Sequence, residues 1–320
     1  MPRPSPKATR ARIWTLPTLV LMLFAGPAAG QCLEQRIDNP EPVERAAFGG
    51  ALWLEDETLV VAGGEIFIYE QIAGSWRLVQ RLDDSIPFAS GPGWVDFDGE
   101  RIVAGGSREA FIFVRRDGRF VLEQRLEQPH PDAFSFARSN VVEGDTAVFA
   151  ELDAADLWVY RRGADGWAQV QRIDYPSDLL ETSTFPRYAY NLELADGWLF
   201  VSASTADRDG VRRAGVVVAY ELQPDGTFAN PQVIAVADPQ AIEEINRPVM
   251  RSGVLAITSR GVDPDGGSQT IAHTFVLEGD SWVYDQAVRG SGTQDRLGAT
   301  IHLGPDADTL LVGAPDAGGL

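Results

Sequence analysis

The chain has 320 residues, 44% of them hydrophobic, with 46 acidic residues against 27 basic ones and a net charge of −19. So acidic a balance repels phosphate backbones and anionic lipid, which excludes nucleic acid and membrane surfaces as expected partners. One cysteine, Cys32, cannot close an internal disulfide, so a hydrophobic core must hold the fold.

The first thirty residues read as a secretory signal peptide. Arg3, Lys7, Arg10 and Arg12 make a positive start, an apolar run spans Leu16 to Gly26, and Ala28-Ala29-Gly30 supplies small residues for cleavage before Gln31. The run is too short to span a bilayer, and no later segment is long enough either. A lipoprotein signal would also end at a cysteine, but Gln31 stands where such signals need a small residue, so ordinary cleavage and export are expected. The leader carries four of the 27 basic residues and no acid, which leaves 23 basic against 46 acidic and a mature net charge of −23. Lys7 is the only lysine, so all positive charge after the leader is arginine.

Behind the leader, residues 31–320 repeat themselves. "LEQRID" at Leu33 returns as "LVQRLD" at Leu78, "LEQRLE" at Leu122 and "QVQRID" at Gln169. The Gln residues stand at 35, 80, 124 and 171, a period in the range of propeller blades. Four residues before each later Gln stands an aromatic, Trp76, Phe120 or Trp167, and before it a tight Gly-Ser or Asp-Gly turn. Earlier in each unit come "IFIY", "FIFV" or "LWVY", and before those "TLVVAGG", "RIVAGG" or "TAVFAE". Each unit therefore reads as four short strands joined by polar turns. Two looser units follow, marked by Phe228 and Trp282, and a sixth opens at Arg296.

The predicted fold is all-β, a β-propeller of four-stranded antiparallel blades, about six and up to seven in an intact protein. "PQAIEEIN" near Ala241 is predicted to form one or two helical turns at most. Alternation in the last strand predicts Trp76, Leu78 and Leu82 on one face, with Phe120, Leu122 and Leu126 in the next unit. The Gln shares that face and the Arg points to solvent, so the pair reads as packing in the outermost strand. The leading "LEQRID" is an outer strand without a blade, expected to close the ring on the last blade, which is incomplete at Leu320 or cut short there.

The unit openings "FGGALWLEDETLVVAGG" (Phe48 to Gly64) and "LGATIHLGPDADTLLVGAP" (Leu297 to Pro315) resemble the FG-GAP repeat of integrin-α-type propellers, in its bacterial secreted form. That resemblance implies a propeller and, in many members, calcium in the turn between first and second strands. Here those turns read "LEDE", "FDGE", "VEGD", "LADG" and "MRSG", too poor in carboxylates for six to eight oxygen ligands. Asp306 with Asp308, Asp207 with Asp209, and Asp263 with Asp265 are the nearest approaches, and the Asp-Gly pattern reads as turn chemistry. No cofactor is expected.

His130, His273 and His302 fall in a loop and two strands without metal-ligand spacing, and no nucleophile elbow or phosphate loop is present. The absence of a lysine after the leader excludes Schiff-base and Ser-Lys mechanisms. No catalytic, cofactor or metal residue is assigned. The expected function is an exported, monomeric, non-enzymatic propeller that presents loops to a protein or glycan partner. A glycosidase or lyase using paired carboxylates, and a structural module of a larger surface protein, are the alternatives. A deep axial pocket with convergent carboxylates and a shifted pKa would mark the enzyme; a shallow funnel lined by small and apolar residues would mark the binder.

Overall fold

Short β-branched and aromatic runs punctuated by Asp-Gly and Ser-Gly turns fold as antiparallel meanders. The computed structural model describes residues 51–62, 65–82, 95–106, 108–131, 135–180, 187–208, 210–236, 242–245, 247–262, 268–289, 300–304 and 306–313, with residues 35, 37, 38, 40, 48 and 49. The chain divides into Met1–Asp38 and Asn39–Leu320. In the first unit only Gln35, Ile37 and Asp38 are described, so the predicted leader and the predicted ring-closing strand at Leu33 lie outside the described residues.

The second unit is an all-β propeller without helices among the described residues. Blade one is β1 (Ala51–Glu55), β2 (Thr58–Ala62), β3 (Ile66–Ile72) and β4 (Ser75–Arg81). Blade two is β5 (Val95–Phe97), β6 (Arg101–Gly105), β7 (Glu109–Arg116) and β8 (Arg119–Glu127). Blade three is β9 (Phe136–Glu143), β10 (Thr146–Glu151), β11 (Asp156–Gly163) and β12 (Gly166–Ile173). Blade four is β13 (Tyr188–Ala195), β14 (Trp198–Ala203), β15 (Val216–Leu222) and β16 (Phe228–Ile234). Each of these sheets runs antiparallel in sequence order.

Blade five splits its first strand into β17 (Ile242–Ile245) and β18 (Val249–Arg251), both paired with β19 (Val254–Val262), followed by β20 (Ser268–Glu278) and β21 (Ser281–Arg289). The expected helical turns near Ala241 are thus strand β17. The split falls at Pro248, which has no N–H to donate to a ladder, and it leaves Arg247 outside both strands. A two-stranded sheet of β22 (Ile301–Leu303) and β23 (Leu310–Val312) ends the described fold.

The hairpin turns have the chemistry their sequences imply. Ala73-Gly74, Asp117-Gly118, Asp196-Gly197 and Ser252-Gly253 each place two successive residues at positive φ, the geometry whose twist matches the flanking strands. The core lies between blades. Val60, Ile66 and Ile68 of blade one pack on Ile102, Phe111 and Phe120 of blade two, and the next three interfaces follow suit. Small residues at the ends of second strands allow close approach near the axis. A Cβ on Gly105 would lie 1.6 Å from the carbonyl oxygen of Ala137 on the neighbouring blade, so only glycine fits there.

The outer strands correct the predicted facing. In every blade a bulge interrupts the pairing of third and fourth strands, after Ile68, Ile112, Val159, Ala219 and Thr274. One extra residue reverses the alternation. Leu78 and Leu122 are therefore exposed, while Leu82 and Leu126, beyond the bulge, are buried.

The repeated Gln-Arg pair now has a role at each residue. Gln80 donates its amide N–H to the carbonyl of Phe120 at 2.6 Å and accepts from the Phe120 N–H at 2.8 Å. Gln124 does the same with Trp167, and Gln171 with Phe228. Gln232, in the equivalent place of blade four, spans to Asp280 and Trp282. The glutamines of blades one to three thus latch onto the backbone of the aromatic that opens the next blade's outer strand, and that of blade four reaches the same turn. The arginine is not simply solvated. Arg81, Arg125 and Arg172 pair with Glu65, Glu109 and Asp156 at the start of their own blade's third strand, the diagonal cross-strand neighbour.

Candidate functional site

Inner strands of a propeller converge on its axis, so a side chain at one register position recurs around a common centre. The place taken by Trp53 in β1 is taken by Asp96 in β5 and Glu193 in β13, each two residues before the position that closes the first hairpin. Arg247 arrives from the break between β17 and β18. These four line an axial cavity of about 420 Å³, together with Phe97, Leu194, Met250 and His302.

The polar groups interlock. One Asp96 oxygen accepts from the Trp53 indole N–H at 2.9 Å and from Arg247 at 3.2 Å; the other accepts from the Val142 backbone N–H at 2.9 Å. The same terminal nitrogen of Arg247 donates to Glu193 at 3.2 Å. Among the described residues the second Glu193 oxygen is met only by the Met250 N–H, at 3.4 Å. Asp96 therefore has three donors at ordinary distances, while Glu193 is held loosely.

The electrostatics follow. The Glu193 side chain is 14% exposed. Burial pushes its pKa up, and the charge of Asp96 adds to this. Arg247 and the Met250 N–H pull it back, leaving it at about 7. A carboxylate poised there exchanges protons at neutral pH, as a general base requires. The side chain of Arg247 is 43% exposed, which leaves a cation within reach of a bound molecule.

Beyond this centre the first hairpins carry a second tier of carboxylates. Asp98 accepts from the Gly144 N–H at 2.9 Å, Glu143 from the Asp196 N–H at 3.0 Å, and Asp196 from the Ser252 N–H at 3.0 Å. Each ties one blade's turn to the next.

The histidines scatter. His130 sits between blades two and three, 4.0 Å from the buried Glu151. His273 is buried on β20 with its Nε2 2.8 Å from the Ser259 hydroxyl, and burial lowers its pKa to about 4. His302 on β22 lines the axial cavity, which sequence reasoning missed. Of the calcium positions, Asp207 accepts from the Arg213 backbone N–H at 2.7 Å, as a turn residue does. Asp306 and Asp308 are exposed in the β22–β23 turn, and Asp209, Asp263 and Asp265 lie outside the described residues. No group of three or more metal-ligating side chains occurs among the described residues.

Asp96, Glu193 and Arg247 were not singled out by sequence. The available signal was an acid between two apolar residues of an inner strand, "VDF" and "LEL", and an Arg-Pro pair interrupting another.

No family model matches the chain, the FG-GAP repeat included, and no curated protein matches. Solved structures do. The chain is similar to the periplasmic gluconolactonase of Pseudomonas aeruginosa, with 16% identity, TM-score 0.54, and coverage of 81% of this chain and 75% of that one. It is also similar to a structure titled a putative 6-phosphogluconolactonase from Bacteroides fragilis, with 15% identity, TM-score 0.53, and coverage of 80% and 74%. At these identities the likeness establishes the propeller. The expectation of a non-enzymatic scaffold binding a protein or glycan is corrected here. A shallow funnel of small and apolar residues would have favoured it, whereas the axis holds convergent carboxylates, an arginine and a shifted pKa, and the similar propellers carry lactonase names.

Proposed function

We propose that the protein is an exported hydrolase that opens a lactone ring in its axial cavity, with Glu193 as general base. The observation that carries this reading is the largely buried side chain of Glu193, 14% exposed and with a pKa of about 7, beside Arg247 in a cavity of about 420 Å³, a size suited to one sugar-like ring. Deprotonated Glu193 takes a proton from a water molecule as its oxygen attacks the lactone carbonyl. The oxyanion that forms faces the Arg247 guanidinium, a preorganised positive charge. The carbonyl then re-forms, the ring C–O bond breaks, and the proton passes from Glu193 to the leaving ring oxygen, giving a hydroxy acid. Asp96, held by three donors, fixes Arg247 and Trp53 and serves as positioning residue.

Export is supported by the leader at 1–30, and a sugar lactone by the names of the similar propellers. The FG-GAP-like unit pattern stays in this reading as the scaffold's repeat, supported by the openings at Phe48 and Leu297. Glycoside hydrolysis would ask Asp96 to act as the second carboxylate, and its oxygens are already engaged. The test is proton release from glucono-1,5-lactone in weak buffer, corrected for spontaneous hydrolysis. Turnover above background is expected, falling roughly 100-fold or more in Glu193→Gln. A wild-type rate equal to background overturns the proposal.

A further inference from the structure

We propose, on the premise that the axial cavity is the lactone site, that it accepts uncharged lactones and turns away phosphorylated ones. Six carboxylates line the cavity (Glu55, Asp96, Asp98, Glu143, Glu193 and Asp196) against two guanidiniums, Arg247 and Arg251. Both guanidiniums are already offset by neighbouring carboxylates, so an incoming dianion meets a net negative charge. Arg247 bonds to Asp96 and Glu193, and Arg251 stands 3.9 Å from Glu55. The outer carboxylates cannot swing aside freely, because Asp98, Glu143 and Asp196 each hold a backbone N–H of the next blade. Asp306 and Asp308 add exposed acid in the sixth turn of the same kind.

A phosphomonoester brings a charge of about −1.5 to −2 at neutral pH and calls for arginine or lysine partners. After its leader the chain has no lysine. The same field bears on the product. Ring opening turns a neutral lactone into a carboxylate within this acidic funnel, so hydrolysis itself drives release.

The experiment compares kcat/KM for glucono-1,5-lactone and 6-phosphogluconolactone at low and high salt. The neutral substrate is expected to lead by about ten-fold or more at low salt, a ratio narrowing several-fold near 0.5 M salt as the field is screened. Glu55→Arg is expected to narrow the low-salt ratio in the same direction. A ratio near one, a preference for the phosphorylated substrate, or a ratio indifferent to salt overturns this inference and leaves the lactone reading standing. Failure to hydrolyse either substrate overturns both.

Discussion

The outer edge and the axis of the propeller solve one problem, tying blade to blade, with opposite chemistry. At the edge a neutral glutamine amide both donates to and accepts from the next blade's backbone, at 2.6 to 2.8 Å in three successive interfaces. At the axis the tie is a carboxylate accepting one backbone N–H, and in Glu193 that contact stretches to 3.4 Å. Neutral amides with both partners supplied add stability and carry no proton chemistry. Buried carboxylates with incomplete partners cost stability and gain reactivity. The ring is held at its edge so that its centre can stay poised.

Substitutions at the two places should therefore separate activity from stability. The largest expected effect is on turnover: Glu193→Gln lowers kcat by about 10²–10⁴-fold, the range for a general base. Gln124→Ala, by contrast, keeps kcat within about two-fold of wild type under conditions where it remains folded. Steady-state kinetics on both variants checks this, and comparable loss in each would erase the distinction.

The next effect is on the pH dependence of stability. The pKa of Glu193 is about 7 in the folded chain, against an ordinary value near 4.3 when unfolded. Between those values the folded state keeps a proton that the unfolded state has lost, so stability falls by roughly 3–4 kcal/mol as pH rises through that window. His273, at about 4 when folded, acts in the reverse sense. Its unfolded form takes up a proton first as pH drops below about 6.5, so acidification erodes stability. The two slopes oppose each other in wild type. Urea unfolding of Glu193→Gln should remove the opposing slope, so that stability rises more steeply from about pH 4 to pH 6.5 than in wild type. An unchanged profile would mean that Glu193 carries no proton of its own.

Smaller effects grade the latches themselves. Gln124→Ala removes two hydrogen bonds and should cost roughly 1–2 kcal/mol in urea unfolding. Gln286 holds the corresponding place in blade five and is exposed, so Gln286→Ala should cost less than about 0.5 kcal/mol. Equal costs at the two positions would show that the glutamine matters within its own strand and not between blades.

Much of the scaffold was legible because period-two alternation and Asp-Gly turns are local. Trp76, Phe120, Trp167, Phe228 and Trp282 all open outer strands where the repeat placed them. The bulges were not legible. The residues they skip include Val79, Glu123, Val170 and Asp285, which share no chemistry, so nothing in the alphabet marks the slip that exposes Leu78 and Leu122. Gln was recognised as the mark of the outer strand, but its partner lies 40 to 57 residues on, beyond the reach of any local pattern. The axial site hid for a related reason. Asp96 and Glu193 are two acids among 46, and only the arrangement of the blades about the axis brings them to one guanidinium. Arg247 was masked further by lying next to a segment whose composition looked helical.

The central claim, that Glu193 at the axis is a working base, is tested most directly by the pH dependence of kcat/KM for glucono-1,5-lactone in wild type and Glu193→Gln. Wild type should rise through an inflection at about 7, and the variant should be slow and lack it. Identical profiles in the two proteins would place the chemistry elsewhere.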